Sequence, residues 1–135
     1  MTSLFVYGSL MSPRVLAYVI GHPHPHTAPA SLSGFHRFAI RSRTYPALCR
    51  SSNEKELVKG VLVMGLSESD IRKLDDFEGS DYERTPIKVT LENGQLVEAF
   101  TYVWAESDHD LYGEWSFERD FLPNEDKTLR EWGFL

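Results

Sequence analysis

The period of the hydrophobic positions changes along the chain, and each change marks an element. Leu4 to Tyr7 is an unbroken apolar run ending at Gly8, the pattern of a strand buried on both faces that must then turn sharply. Ser12 is placed to accept from free helix amides and Pro13 suits the first helical position, so "RVLAYVI" predicts a helix stopping at Gly21. In "GHPHPHTAPA" three prolines enforce extended backbone and withdraw amide donors, which predicts a loop running into a strand. "LSGFHRFAI" and "LVKGVLVMGL" predict two further strands, separated by the polar loop "RSSNEKEL". Ser67 with Asp70 resembles a capping box with Asp in place of Glu, opening a helix that ends near Glu78, with Gly79 suited to a left-handed turn beyond it. "TPIKVTL" then alternates apolar and polar residues, "ENGQ" supplies an Asn-Gly turn, and "LVEAFTYVW" completes a hairpin. From Ser107 the chain is acidic and aromatic, and a helix from about Ser116 would place Phe117 and Phe121 one turn apart over the sheet. Strands outnumber helices and the clear hairpin is antiparallel. The prediction is therefore α+β, with a curved or barrel-like mixed sheet rather than a doubly wound parallel one.

Composition narrows the class. With 135 residues and no linker or repeat, a single domain over residues 1–135 is expected. No apolar run approaches the ~20 residues of a membrane helix, and "MTSLFVYGSL" has no basic segment before its apolar residues, so neither a membrane span nor a signal peptide is expected. The net charge of −6 argues against nucleic acid as a partner, and the basic stretch "HRFAIRSR" fits the outer face of a strand. The single Cys49 excludes an internal disulfide framework, reads as a buried structural thiol and fits a reducing compartment, so the cytoplasm is the expected location.

Three places could carry chemistry. The histidines of "HPHPH" alternate on a proline-fixed chain that splays their rings apart, with no carboxylate or Cys nearby in sequence, so a solvated loop is expected and no metal. In "VYGSLMSP" a buried strand ends in glycine just before a helix, so backbone amides from Gly8 to Leu10 can converge on a carboxylate or phosphate; the same pattern also describes an ordinary turn. No G-x-G-x-x-G or Walker lysine is present, and no cofactor is expected. The third place is Glu78. Leu74 lies four residues before it and Ile71 seven, which sets the glutamate on the apolar stripe of its helix, while Asp75 and Asp76 supply the outer face. Either the helix frays and the carboxylate reaches water, or it is held among apolar groups, where its pKa rises and it can take and return a proton.

The order of "FVYGSL", "YPAL" at Tyr45 to Leu48, "VKGVL" with Gly60, and "LDDFEGSDYERTPIKV" resembles the γ-glutamylcyclotransferase-like family, most closely its AIG2-like and γ-glutamylamine cyclotransferase branch. The ending "YVW" followed by "DLYGEWSFE" is similar to plant and fungal AIG2-like members. The resemblance implies a small mixed β-barrel flanked by a few short α-helices, with a cavity at one end. It implies that Tyr7, Gly8, Ser9 and Leu10 bind a γ-glutamyl group, that Glu78 is the acid/base, and that Tyr45, Tyr82 and Arg84 contribute to substrate binding. Arg84 is open to two placements, beside Glu78 or on a strand surface.

The implied reaction needs no enzymic nucleophile, in keeping with a chain that lacks a recognisable triad: the substrate's own α-amine attacks the γ-carbonyl, releasing 5-oxoproline and an amine. The expected partner is a small γ-glutamyl amine or γ-glutamyl amino acid. The alternative is a non-catalytic AIG2-like module that binds such a metabolite or a protein.

Overall fold

A computed structural model describes residues 1–23 and 26–135. The chain runs β1 (Thr2–Val6), α1 (Pro13–Ile20), β2 (Thr27–Ser33), β3 (Phe35–Ile40), β4 (Pro46–Arg50), β5 (Leu57–Leu66), α2 (Glu68–Glu78), β6 (Tyr82–Leu91), β7 (Leu96–Trp104), β8 (Leu111–Tyr112) and α3 (Glu125–Glu131). β1, β5, β2, β6 and β7 close into a five-stranded barrel, and β4, β3 and β8 form a separate three-stranded sheet. The barrel is antiparallel except where β1 meets β7 in parallel, with Leu4 opposite Phe100. It is the mixed α+β barrel with short helices expected from the sequence.

Local chemistry sets the element ends. Ser12 accepts from the Val15 amide at the start of α1, Pro13 takes the first helical position, and Gly21 closes the helix at φ 84°. The Ser67 hydroxyl accepts from the Asp70 amide, and the Asp70 carboxylate accepts from the Ser67 amide, completing the capping box of α2. The β6–β7 hairpin pairs from Tyr82 opposite Trp104 to Thr90 opposite Leu96.

β1 is buried on both faces. Leu4 and Val6 pack with Val15, Leu16, Ile20, Ile71 and Leu74 of the helices, while Phe5 and Tyr7 pack with Leu32, Leu62, Val89 and Ala99 of the other strands. β5 approaches β1 so closely that a Cβ on Gly60 would lie 2.4 Å from the Val6 carbonyl oxygen and 2.8 Å from Phe5 Cζ. Only a residue without a side chain fits there.

Four details differ from the sequence reading. The stretch predicted as one strand, "LSGFHRFAI", is broken at Gly34, whose φ of 79° turns the chain out of the barrel, so β2 and β3 belong to different sheets. β4, unpredicted, pairs with β3. Residues Phe117–Phe121 form one π-helical turn with the two phenylalanine rings stacked 5.6 Å apart, and the regular helix begins only at Glu125. Cys49 is half-buried in β4, where desolvation raises its thiol pKa, rather than fully buried. Among the described residues no helix is long and apolar enough to cross a membrane.

Candidate active site

A cavity of about 370 Å³ opens at one end of the barrel, within the range of small-molecule sites. One wall comes from the end of β1 and the turn after it, Phe5 to Leu10. A second comes from the end of α2 and the start of β6, with Phe77, Glu78, Asp81 and Tyr82. Pro46 at the start of β4 and Tyr45 just before it approach from one side, Tyr102 from β7, and Trp132 and Phe134 from the segment that follows α3. Of the residues singled out in the sequence, Tyr7, Gly8, Ser9, Leu10, Tyr45, Glu78 and Tyr82 are brought to this one space.

The turn after β1 is held open toward the cavity. The amides of Met11 and Ser12 donate to the carbonyls of Gly8 and Ser9, whereas those of Gly8, Ser9 and Leu10 have no acceptor among the described residues. Ser9 and Leu10 are buried, so three donors without a protein acceptor stand at the edge of the cavity. Gly8 is packed against Pro46, where a Cβ would fall 2.8 Å from Pro46 Cδ. The Tyr82 hydroxyl donates to the Pro46 carbonyl at 2.7 Å, tying β6 to the same point.

Glu78 is the last residue of α2, on the face of Ile71 and Leu74, both buried. Its carboxylate has no hydrogen bond or ion pair among the described residues. The accessible surface it retains opens into the cavity. Burial first, and the neighbouring Asp75 carboxylate second, push its pKa up from an ordinary 4.5 to about 8. Tyr7 and Tyr82 are likewise shifted upward, chiefly by burial and also by Glu78, so both phenols stay protonated donors.

Arg84 does not line the cavity and is not the partner of Glu78. Asp75, one helical turn before Glu78, captures it: Arg84 Nε donates to Asp75 Oδ1 at 3.0 Å, and the guanidinium lies over the Phe100 ring. Asp75 is half-exposed, at the border between the outer face and the barrel. It also accepts from the Tyr102 hydroxyl at 2.8 Å, and the Tyr102 carbonyl accepts from the Tyr7 hydroxyl at 2.5 Å. Arg37 of β3 donates to the carbonyls of Tyr7 and Lys59 and packs over Trp115, so this basic residue anchors the turn instead of facing water. Sequence periodicity gives no sign of these long-range bonds.

The "HPHPH" segment is only partly described, since His24 and Pro25 lie outside the described residues. His22 donates or accepts through Nε2 at 2.8 Å from Asp70, a carboxylate distant in sequence. No group of three or more metal-ligating side chains occurs among the described residues.

The family model for γ-glutamyl cyclotransferase, AIG2-like proteins matches residues 4–117. The chain belongs to that family. AIG2-like protein D of Arabidopsis thaliana is 41% identical over all of this chain and 85% of its own length. AIG2-like protein C of the same plant is 41% identical over 85% of this chain and 66% of its own length. A solution structure of an Arabidopsis thaliana protein, 34% identical, superposes with a TM-score of 0.75 over 97% of this chain and 87% of that one. A structure described as a gamma-glutamyl cyclotransferase shares the fold, with a TM-score of 0.63 at 21% identity over 78% of this chain and 67% of its own.

Within this AIG2-like chain, the match covers the amide turn, Glu78 and Tyr82, but stops short of Trp132 and Phe134. Those two rings, with Phe77, Asp81 and Tyr102, are among the cavity residues that the sequence reading did not single out. The aromatic content of the tail indicated burial, but not against what.

Proposed function

We propose that the protein is a γ-glutamyl cyclotransferase that converts a γ-glutamyl amide into 5-oxoproline and a free amine, with Glu78 moving the proton. The observation supporting this reading is the pairing, in one cavity, of a partnerless carboxylate and three backbone amides without acceptors. Among the described residues no lysine, arginine or histidine lines the cavity. An acid group entering it must therefore be held by amides, and an ammonium by Glu78, which are the charges found at the α-carbon of a γ-glutamyl compound.

The steps follow from those contacts. The amides of Gly8 to Leu10 grip the α-carboxylate, and the incoming α-ammonium favours the ionised form of Glu78, offsetting part of the burial penalty. Folding the glutamyl chain back on itself brings the α-nitrogen to the γ-carbonyl, where proximity supplies much of the rate. Glu78 takes one proton from the ammonium, and the freed lone pair forms the new C–N bond. That proton passes from Glu78 to the leaving nitrogen as its bond to carbon breaks, so the amine departs neutral. The ring nitrogen then gives up its second excess proton to Glu78 and onward to the released amine, restoring the carboxylate. The buried hydroxyls of Tyr7 and Tyr82 keep the surrounding wall protonated and in place through their bonds to Tyr102 and Pro46.

Incubation with a panel of γ-glutamyl amides, γ-glutamyl amino acids and glutathione, following 5-oxoproline, tests this reading. Release from at least one compound is expected, and binding without release from any of them would instead favour a non-catalytic module.

A further inference from the structure

The proposed reaction uses one side of the cavity, the amide turn and Glu78. The other side is aromatic and lies largely on the C-terminal segment, beyond the residues matched by the family model. α3 ends in a tight reversal: the Gly133 amide donates to the Arg130 carbonyl and the Phe134 amide to the Leu129 carbonyl, with Gly133 at φ 83°. This pattern of bonds across a left-handed residue is a Schellman ending. It folds the last residues back so that Trp132 and Phe134 both reach the cavity.

Both rings are braced from behind. Trp132 meets Phe77 edge-on at 5.3 Å and lies 6.5 Å from the fully buried Phe121, while Phe134 stacks on Tyr18 at 5.4 Å. Both remain only half-buried, leaving aromatic surface toward the open space. The carboxylates on the lining are Glu78 and Asp81; the Asp81 backbone carbonyl accepts from the Ala105 amide, while its carboxylate has no hydrogen bond or ion pair among the described residues. A leaving group bearing its own carboxylate would meet those acids with no lysine, arginine or histidine among the described lining residues to offset them.

We propose that Trp132 and Phe134 are specificity-determining residues that receive the apolar part of a leaving amine bearing no carboxylate. This rests on the cyclotransferase reading above. An arylalkyl amine matches the wall best, since a ring packs against braced rings at little entropic cost.

Three probes differing in one feature each test it: γ-glutamyl phenethylamide, γ-glutamyl methylamide, and γ-glutamyl phenylalanine, which is the phenethylamide with a carboxylate added. Titration calorimetry and 5-oxoproline release are measured on wild type, Trp132→Ala and Phe134→Ala. Phe134→Ala is the deciding variant should Trp132→Ala fail to fold, because Phe134 lies outside regular secondary structure, beyond the end of α3. Wild type is expected to prefer phenethylamide over both other probes, and each variant to lower the phenethylamide-to-methylamide ratio, in affinity and in kcat/KM, about tenfold. An unchanged ratio, with both compounds weakened equally, assigns the rings a structural role and overturns the proposal, as does a preference for the phenylalanine compound. Selective binding without 5-oxoproline release would overturn the cyclotransferase reading while leaving the wall intact. Binding of none of the probes would overturn both.

Discussion

The Tyr102 hydroxyl donates to Asp75 Oδ1 at 2.8 Å, joining β7 to the helix that ends in Glu78. The same carboxylate holds Arg84, and the Tyr102 backbone holds Tyr7. Asp75 thus connects the wall bearing the amide turn to the wall bearing the proposed proton carrier, and its charge adds to the upward shift of Glu78.

Asp75→Asn keeps an acceptor for Tyr102 and removes that charge. The free-enzyme limb of kcat/KM, expected to rise through about pH 8 as Glu78 ionises, should move toward lower pH. It should not return to the ordinary carboxylate range, because burial is the larger cause of the shift. A pH profile of wild type and variant decides this, and an unmoved limb would dissociate Asp75 from the titration.

Glu78 also imposes a pH dependence on stability. Its pKa is raised in the folded state from 4.5 to about 8, so the folded protein holds a proton that the unfolded chain has lost throughout that interval. Its contribution to stability is full below pH 4.5 and declines as pH rises through about 8. Glu78→Gln removes the titration at constant volume. The variant should gain on wild type as pH rises, by ~2 kcal/mol at pH 8.5 after discounting for water in the cavity, with the gain vanishing near pH 4. Chemical denaturation across pH measures the difference.

Much of this architecture could be read directly because its causes are local. Ser12, Pro13 and Gly21 bound α1, Ser67 and Asp70 start α2, and Asn93-Gly94 turns the hairpin, each through bonds to neighbours within a few residues. The Ile71, Leu74, Glu78 spacing likewise places the glutamate on the inner face. What escaped the sequence depends on distant partners. Arg37 pairs with carbonyls of β1 and β5, Asp75 with β6 and β7, and Trp132 with Phe77, so their polarity or hydrophobicity alone misplaces them. Gly34 within an otherwise strand-like run signals a break, but not that the chain changes sheet there.

Two glycines should respond differently to the same change. Gly60→Ala forces a Cβ into the Val6 carbonyl and the Phe5 ring, both fixed inside the barrel, and is expected to cost ~2 kcal/mol or more in denaturant unfolding. Gly8→Ala presses instead on the Pro46 ring at the cavity edge. It should displace the amide turn and weaken affinity for γ-glutamyl compounds more than it lowers the unfolding midpoint. Equal stability losses with unchanged affinity for the Gly8 variant would show that the turn does not hold the ligand.

The most direct measurement is 5-oxoproline formation by Glu78→Gln beside wild type, on whichever γ-glutamyl compound wild type turns over, with binding of that compound measured in parallel. Glutamine fills the same space and cannot exchange the proton, so turnover should fall at least ~100-fold while the compound still binds. Near-wild-type release of 5-oxoproline by the variant would contradict the role of Glu78 as the proton carrier.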